Sequence, residues 1–223
     1  MERKIIITED GSHTVSIPEM GVTYHSIHGA IQESKHVFIE AGFNYVIDTL
    51  SKAQINILDV GFGTGLNALL TAINLEEILK TGYYVALEPY PLTGDEVHLL
   101  NYCNQLARKD LQDDFIRLHQ CEWNKSITLT DRFLLHKSNN TLQTFEHTSN
   151  FDLIYFDAFD PDVQPELWTK DVFEKLYRML KENGILVTYS SKGDVRRALQ
   201  STGFYVEKIP GATGKREMIR AKK

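Results

Sequence analysis

Three groups of residues in this chain have the types and spacing that chemistry requires: a glycine cluster behind an aspartate, a glutamate that ends an apolar run, and an aspartate pair that ends another. The first is Asp59-Val60-Gly61-Phe62-Gly63-Thr64-Gly65, which follows the apolar run of Ile55, Ile57 and Leu58 and precedes Leu66, Leu69 and Ile73 at helical spacing. A buried strand, a glycine turn and a helix start form a socket, because glycine admits positive φ and close approach while a helix N-terminus offers unpaired N–H groups. A dinucleotide fingerprint needs a third glycine at position 66, which is Leu66, and a phosphate-cradling loop needs Gly-Lys-Ser/Thr, which is missing. Neither phosphate-binding pattern is complete here. A tight turn with no ligand would use the same glycines, so the neighbouring residues decide.

The second group is Glu88, 25 residues after Gly63 and at the carboxyl end of the run Tyr83-Tyr84-Val85-Ala86-Leu87. A carboxylate there offers paired acceptors for a vicinal diol such as a ribose. The third is Asp157-Ala158-Phe159-Asp160-Pro161, delivered by the apolar run from Phe151 to Phe156. The carboxyl end of a strand beside the glycine-loop strand faces the crevice where open α/β sheets bind ligands, which makes Asp157 the leading catalytic candidate. Asn140 falls where a third strand ends, and its amide is a candidate for bonding a base edge. Tyr24, His25, His28 and Glu33 belong to a polar cluster within thirteen residues, whose histidine spacings fit no tetrahedral zinc motif. No metal is expected.

The elements that must position these groups alternate between β and α periods. Residues 3 to 18 read as a hairpin around Glu9-Asp10-Gly11-Ser12, and a helix capped by Ser26 runs towards Leu50. After the glycine turn a crossover helix extends to about Lys80, a second strand covers 83–87, and 93–111 reads as helical. Residues 116–119, 126–129 and 132–135 read as short β runs. A helix from Pro165 to Glu182 stops at Asn183-Gly184, then a strand covers 185–189, a helix 194–201, and a terminal hairpin 204–209 with 216–221. The pattern gives an α/β fold with a mostly parallel seven-stranded sheet and a reversed edge. It is organised as an N-terminal hairpin and helix appendage over residues 1–52 and one compact unit over 53–223.

The bulk numbers bound the function. A length of 223 residues with 42% hydrophobic content supplies one sizeable core, and no apolar run is long enough to span a membrane. The start, MERKIIITEDG, has no apolar secretory segment, and Cys103 and Cys121 fit no metal spacing, so the chain reads as cytoplasmic with reduced thiols. Net charge is −6, but the stretch from Lys192 to Lys223 holds nine basic and three acidic residues, leaving the preceding part strongly acidic. A basic tail on an acidic body can bind a phosphate backbone locally, and it is equally a solvated surface.

An acidic residue two positions before Gly-x-Gly-x-Gly resembles the first motif of S-adenosylmethionine methyltransferases, whose ligand lacks phosphates. On that resemblance Asp59, Gly61, Phe62, Gly63, Thr64, Gly65, Asn67, Glu88, Asn140 and Asp157 form the cofactor site, and the fold is the Rossmann-like class I methyltransferase fold. Longer segments carry a narrower resemblance: Thr23 to Phe38 around His28-Gly29-Ala30-Ile31-Gln32-Glu33-Ser34, Gly61 to Asn67, Asp157 to Trp168, and Gly214-Lys215-Arg216-Glu217-Met218. In order and over nearly the whole chain these are similar to the MnmC-type tRNA methyltransferase domain, including its stand-alone MnmD form. The resemblance implies S-adenosyl-L-methionine (SAM)-dependent methylation of the 5-aminomethyl group on a wobble (2-thio)uridine, with no FAD-dependent oxidase step because the chain ends at Lys223. Ser138-Asn139-Asn140 departs from the Gly-Asp more common in that family.

In this reading Asp157 orients the amine and takes its proton, and Asp160 is a second candidate for the same task. Lys192, Arg196, Lys215 and Arg216 contact phosphates of the tRNA anticodon stem-loop, while Tyr24, His25 and His28 stack on or bond the flipped base, with Glu33 beside them. The protein is expected to act as a monomer or weak dimer. Two alternatives stay open: a transferase of the same fold acting on polyamines or other small amines, which the acidic body suits, and a non-catalytic SAM-binding module.

Overall fold

The computed structural model describes residues 2–50, 52–147 and 150–223. The N-terminus forms a small antiparallel sheet of β1 (Lys4–Ile7), β2 (His13–Ile17) and the two-residue β3 (Val22–Thr23). The expected turn closes through Asp10, whose carboxylate accepts the Ser12 amide at 2.9 Å and the Gln32 amide at 3.0 Å. Gln32 belongs to α1 (Ala30–Ser34), which continues through Lys35–Asn44 with wider π-type bonding into α2 (Tyr45–Thr49). This helix begins later than the Ser26 cap predicts. The Glu33 carboxylate accepts the Ser26 amide at 2.7 Å, and the Ser26 hydroxyl accepts the His28 amide at 3.2 Å. Those bonds hold residues 24–29 as a loop.

The main sheet comprises β4 (Gln54–Val60), β5 (Thr81–Leu87), β6 (Lys125–Thr130), β7 (Phe133–Ser138), β8 (Phe151–Phe156), β9 (Leu180–Thr188), β10 (Tyr205–Pro210) and β11 (Glu217–Lys222). Their order is β10-β11-β9-β8-β4-β5-β7-β6. The five central strands β9, β8, β4, β5 and β7 are parallel; β6 and β11 run antiparallel to them, and β10, antiparallel to β11, shares their direction. This sheet has eight strands among the described residues rather than seven, because the runs at 126–129 and 132–135 pair with each other as a hairpin that adds β6 at the edge.

The remaining helices are α3 (Leu66–Glu77), α4 (Gly94–His98), α5 (Tyr102–Gln105), α6 (Gln112–Gln120), α7 (Lys170–Met179) and α8 (Gly193–Ser201). The β reading of 116–119 is overturned. Phe115 and Leu118 are buried three residues apart while Asp113 and Arg117 are exposed, which is the spacing of a helix face. The helix expected to reach Glu182 stops at Met179, because Asn183 (φ 64°) lies in a left-handed turn where the pairing of β8 with β9 shifts register.

Two apolar layers sandwich the sheet. One contains Phe38, Phe43, Tyr84, Phe115 and Tyr155, and it includes Val15 and Ala30, so the N-terminal segment packs into the core of the sheet. The other contains Phe156, Trp168, Phe173 and Leu199 under α7 and α8. Each fully buried side chain of this size contributes about 1.5–3 kcal/mol. From β4 the chain moves to β5 and β7 on one side, then returns to β8 on the other. That reversal opens a crevice at the carboxyl ends of β4 and β8. Among the described residues no helix is long and apolar enough to cross a membrane.

Candidate active site

A cavity of about 420 Å³ occupies that crevice. Its floor is the turn between β4 and α3. Gly61 has φ 103°, and a Cβ on it would lie 2.4 Å from the Asp157 carbonyl oxygen, so glycine alone lets the turn pass this close to the end of β8. The Gly63 amide donates to Glu88 Oε2 at 2.9 Å, and the Tyr90 amide donates to Oε1 at 2.8 Å. A carboxylate has about four acceptor positions, so two remain for a ligand diol. Burial raises the pKa of Glu88, against the two N–H bonds and the Arg3 charge, which lower it. From behind, the Thr64 carbonyl lies 3.0 Å from His119 Nε2, and burial pushes this histidine down to about 4.

Asp157, against which Gly61 packs, lines the same cavity. Its Oδ2 accepts from Asn67 Nδ2 at 2.9 Å. Desolvation by the cavity walls, then the charge of Glu33, push its pKa up to about 7, while the Asn67 bond and the Lys215 charge pull the other way. A carboxyl group tuned to this range can hold or release a proton near neutral pH, as a general base must. Asn67 is itself buried, and its Oδ1 is a buried acceptor with no partner among the described residues. Glu33 and Lys215 line this cavity as an ion pair of 2.7 Å, with the lysine ammonium 3.9 Å from the centroid of the Tyr189 ring. Tyr189 in turn donates its hydroxyl to the Ala158 carbonyl at 2.8 Å.

The structure brings together most of the residues singled out by sequence. Tyr24, His25, Glu33, Gly61, Phe62, Gly63, Thr64, Asn67, Glu88, Asp157, Asp160 and Lys215 all line the cavity. Tyr24 meets Phe159 edge-on at 5.3 Å and is pushed up to about 12, chiefly by burial. His25 is buried beside Thr14 Oγ1 at 3.0 Å, and desolvation lowers it to about 4, so it is neutral. Asp160 accepts from Lys192 Nζ at 2.5 Å; burial raises its pKa, but the lysine and the Asp162 amide bring it below the usual carboxylate range.

The others lie elsewhere. Asp59 does not line the cavity; it is fully buried, accepts the Tyr84 hydroxyl at 2.6 Å, and burial raises its pKa well above the usual range. Gly65 (φ 73°) caps α3 and packs on His119. Asn140 is exposed, and the cavity wall is made instead by its successors Thr141, Leu142 and Gln143. His28 pairs with Glu9 at 2.9 Å, Lys192 pairs with Asp160 and Asp162, and Arg216 is exposed. Arg196 is partly buried, its Nε without a partner among the described residues.

Tyr90, Gln143 and Tyr189 line the cavity without having been singled out. Each lies in the loop that follows the carboxyl end of a parallel strand, and position alone could have flagged them.

A family model described as S-adenosyl-L-methionine-dependent methyltransferase matches residues 102–223. The bifunctional protein MnmC of tRNA 5-methylaminomethyl-2-thiouridine biosynthesis from Burkholderia multivorans is 31% identical over 95% of this chain and 33% of its own length. Its counterpart from Aromatoleum aromaticum is 31% identical over 98% of this chain and 35% of its own. The chain thus spans about a third of the length of the curated relatives it matches. The crystal structure of MNMC2 from Aquifex aeolicus superimposes with a TM-score of 0.80 at 27% identity, covering 99% of this chain and 69% of that one.

Proposed function

The chain belongs to the S-adenosyl-L-methionine-dependent methyltransferase family, and from that premise we propose that it methylates the amine of a 5-aminomethyl-(2-thio)uridine at the wobble position of tRNA. The product is the 5-methylaminomethyl nucleoside. The observation that carries the reading is Asp157, raised towards neutral pH in the cavity that it shares with the glycine turn and a ribose-type acid, Glu88. The names of the MnmC relatives, and identity to them over nearly the whole chain, support the choice of nucleoside.

SAM, when bound, supplies an electrophilic methyl group on a sulfonium, the electron pair of the broken bond staying on sulfur. The chain's own residues do the rest. The turn at Gly61–Gly63 gives close backbone approach, the spare acceptor positions of Glu88 suit the ribose diol, and the Asn67 amide holds Asp157 in place. Asp157 takes a proton from the incoming ammonium, leaving the lone pair that attacks, and positioning supplies the larger part of the acceleration. Tyr24 and Tyr90 offer aromatic faces at the cavity, and the exposed Arg216 and partly buried Arg196 are available for backbone phosphates.

The test is methyl transfer from labelled SAM to bulk tRNA from cells lacking this modification, with nucleoside mass analysis. A new 5-methylaminomethyluridine species is the expected result. Transfer to free polyamines but not to tRNA would favour the small-amine reading.

A further inference from the structure

Lys215 is a basic residue of the C-terminal stretch, and although its side chain is 36% exposed its ammonium is paired within the protein. It donates to Glu33 Oε1 at 2.7 Å and lies over the Tyr189 ring at 3.9 Å. The Glu33 side chain is only 7% exposed, and its second oxygen is occupied by the Ser26 amide at 2.7 Å. The loop that carries Lys215, between β10 and β11, closes onto the N-terminal segment: a Cβ on Gly214 would lie 2.4 Å from His28 Cδ2. A buried carboxylate and an aromatic face thus fix one cation on the Asp157 side of the cavity.

Resting on the amine-methylation reading, we infer that Lys215 is a positioning residue that keeps the acceptor amine unprotonated beside Asp157, with Glu33 and Tyr189 as its anchors. An alkylammonium entering a cavity lined by Glu33, Asp157 and Asp160 would be held in its charged form, which has no lone pair. A fixed cation offsets part of that bias through like-charge repulsion, the same device that activates a lysine next to another cation. When the proton leaves, the N–H bonding pair stays on nitrogen as the lone pair and the proton binds a carboxylate oxygen of Asp157. The charged and titratable groups acting on Asp157 are Glu33 from α1, Lys215 from the β10–β11 loop, buried Asp59 of β4, buried Tyr84 of β5, and Tyr189 after β9; the Asn67 amide of α3 is neutral. Lys215 is the cation of that set.

The experiment measures the midpoint of the Asp157 carboxyl by carbon NMR on aspartate-labelled protein, assigned through Asp157→Asn, alongside the acid limb of kcat/KM on aminomethyl tRNA. Lys215→Met should move both midpoints up by about one pH unit, the low end for a partly solvated charge. Glu33→Gln should move the carboxyl midpoint down, since it removes the anion that raises it. Lys215→Arg keeps the charge and should leave both near wild type, which also controls for folding. If Lys215→Met lowers kcat with either midpoint unmoved, the inference is overturned while the proposed function stands. A wild-type protein that methylates no tRNA amine overturns the proposed function, and the amine role of Lys215 with it, whatever the carboxyl titration gives.

Discussion

Asp157→Asn should separate catalysis from stability, with the two moving in opposite directions. The introduced carboxamide is close in shape to the carboxyl and keeps an acceptor for Asn67 Nδ2, which bonds Asp157 at 2.9 Å. It cannot take a proton at neutral pH. Loss of a positioned base costs about 10²–10⁴-fold in rate, so kcat should fall by at least a hundredfold while SAM affinity changes little.

The stability effect follows from the carboxyl being raised from 3.8 to about 7. Below pH 4 the group is protonated in both folded and unfolded chains and contributes nothing. As pH rises the unfolded chain ionises first, so the fold loses stability progressively up to pH 7, and above that the loss is constant. At about 1.4 kcal/mol per unit the full loss is about 4 kcal/mol, and water in the open cavity reduces it to about 2. Removing the charge removes the loss, so Asp157→Asn should melt at least about 4 °C higher than wild type at pH 8. The gain should shrink by more than half at pH 5. The assay is a pair of thermal melts at each pH beside single-turnover methylation. A variant that methylates within threefold of wild type refutes the base assignment; one that is inactive but melts lower at pH 8 refutes the electrostatic reasoning.

Because Asp157 acts as carboxylate, kcat/KM should fall about tenfold per unit below pH 7; a profile flat from pH 5.5 to 8 would remove it as the titrating group. Gly61→Ala places a methyl 2.4 Å from the Asp157 carbonyl oxygen at φ 103°, so it should cost about 1–3 kcal/mol of stability and weaken SAM binding more than tenfold, measured by calorimetry. Unchanged SAM affinity in that variant would mean that the turn does not carry the cofactor. Arg216→Ala should reduce the slope of log affinity for tRNA against log salt by about one, and an unchanged slope would take Arg216 out of the interface.

The local patterns in the sequence were enough to reach the sheet and the turn. The apolar run before Asp59 reads as a buried strand because parallel strands covered on both faces are almost continuously apolar, and the switch to Leu66, Leu69 and Ile73 marks a helix. The same logic placed Glu88 and Asp157 at strand ends, where they stand. It failed at 116–119, where four residues fit both periods and only packing of Phe115 and Leu118 against the core chose the helix. It read 126–129 and 132–135 as β runs but counted one strand too few in the sheet, since pairing at a sheet edge depends on a partner and not on the strand's own residues.

Two questions belonged to the tertiary structure alone. Asp59 matches the motif yet turns towards Tyr84 inside the core, because successive strand side chains alternate faces and position 59 falls on the helix side of the sheet. Lys215 looks like any basic residue of the tail until the fold brings it to Glu33, 182 residues away in the chain. Charge and spacing in a sequence name the groups capable of chemistry. Which charges face one another depends on distances across the fold, and Coulomb energy is set by those distances and by the burial that excludes water.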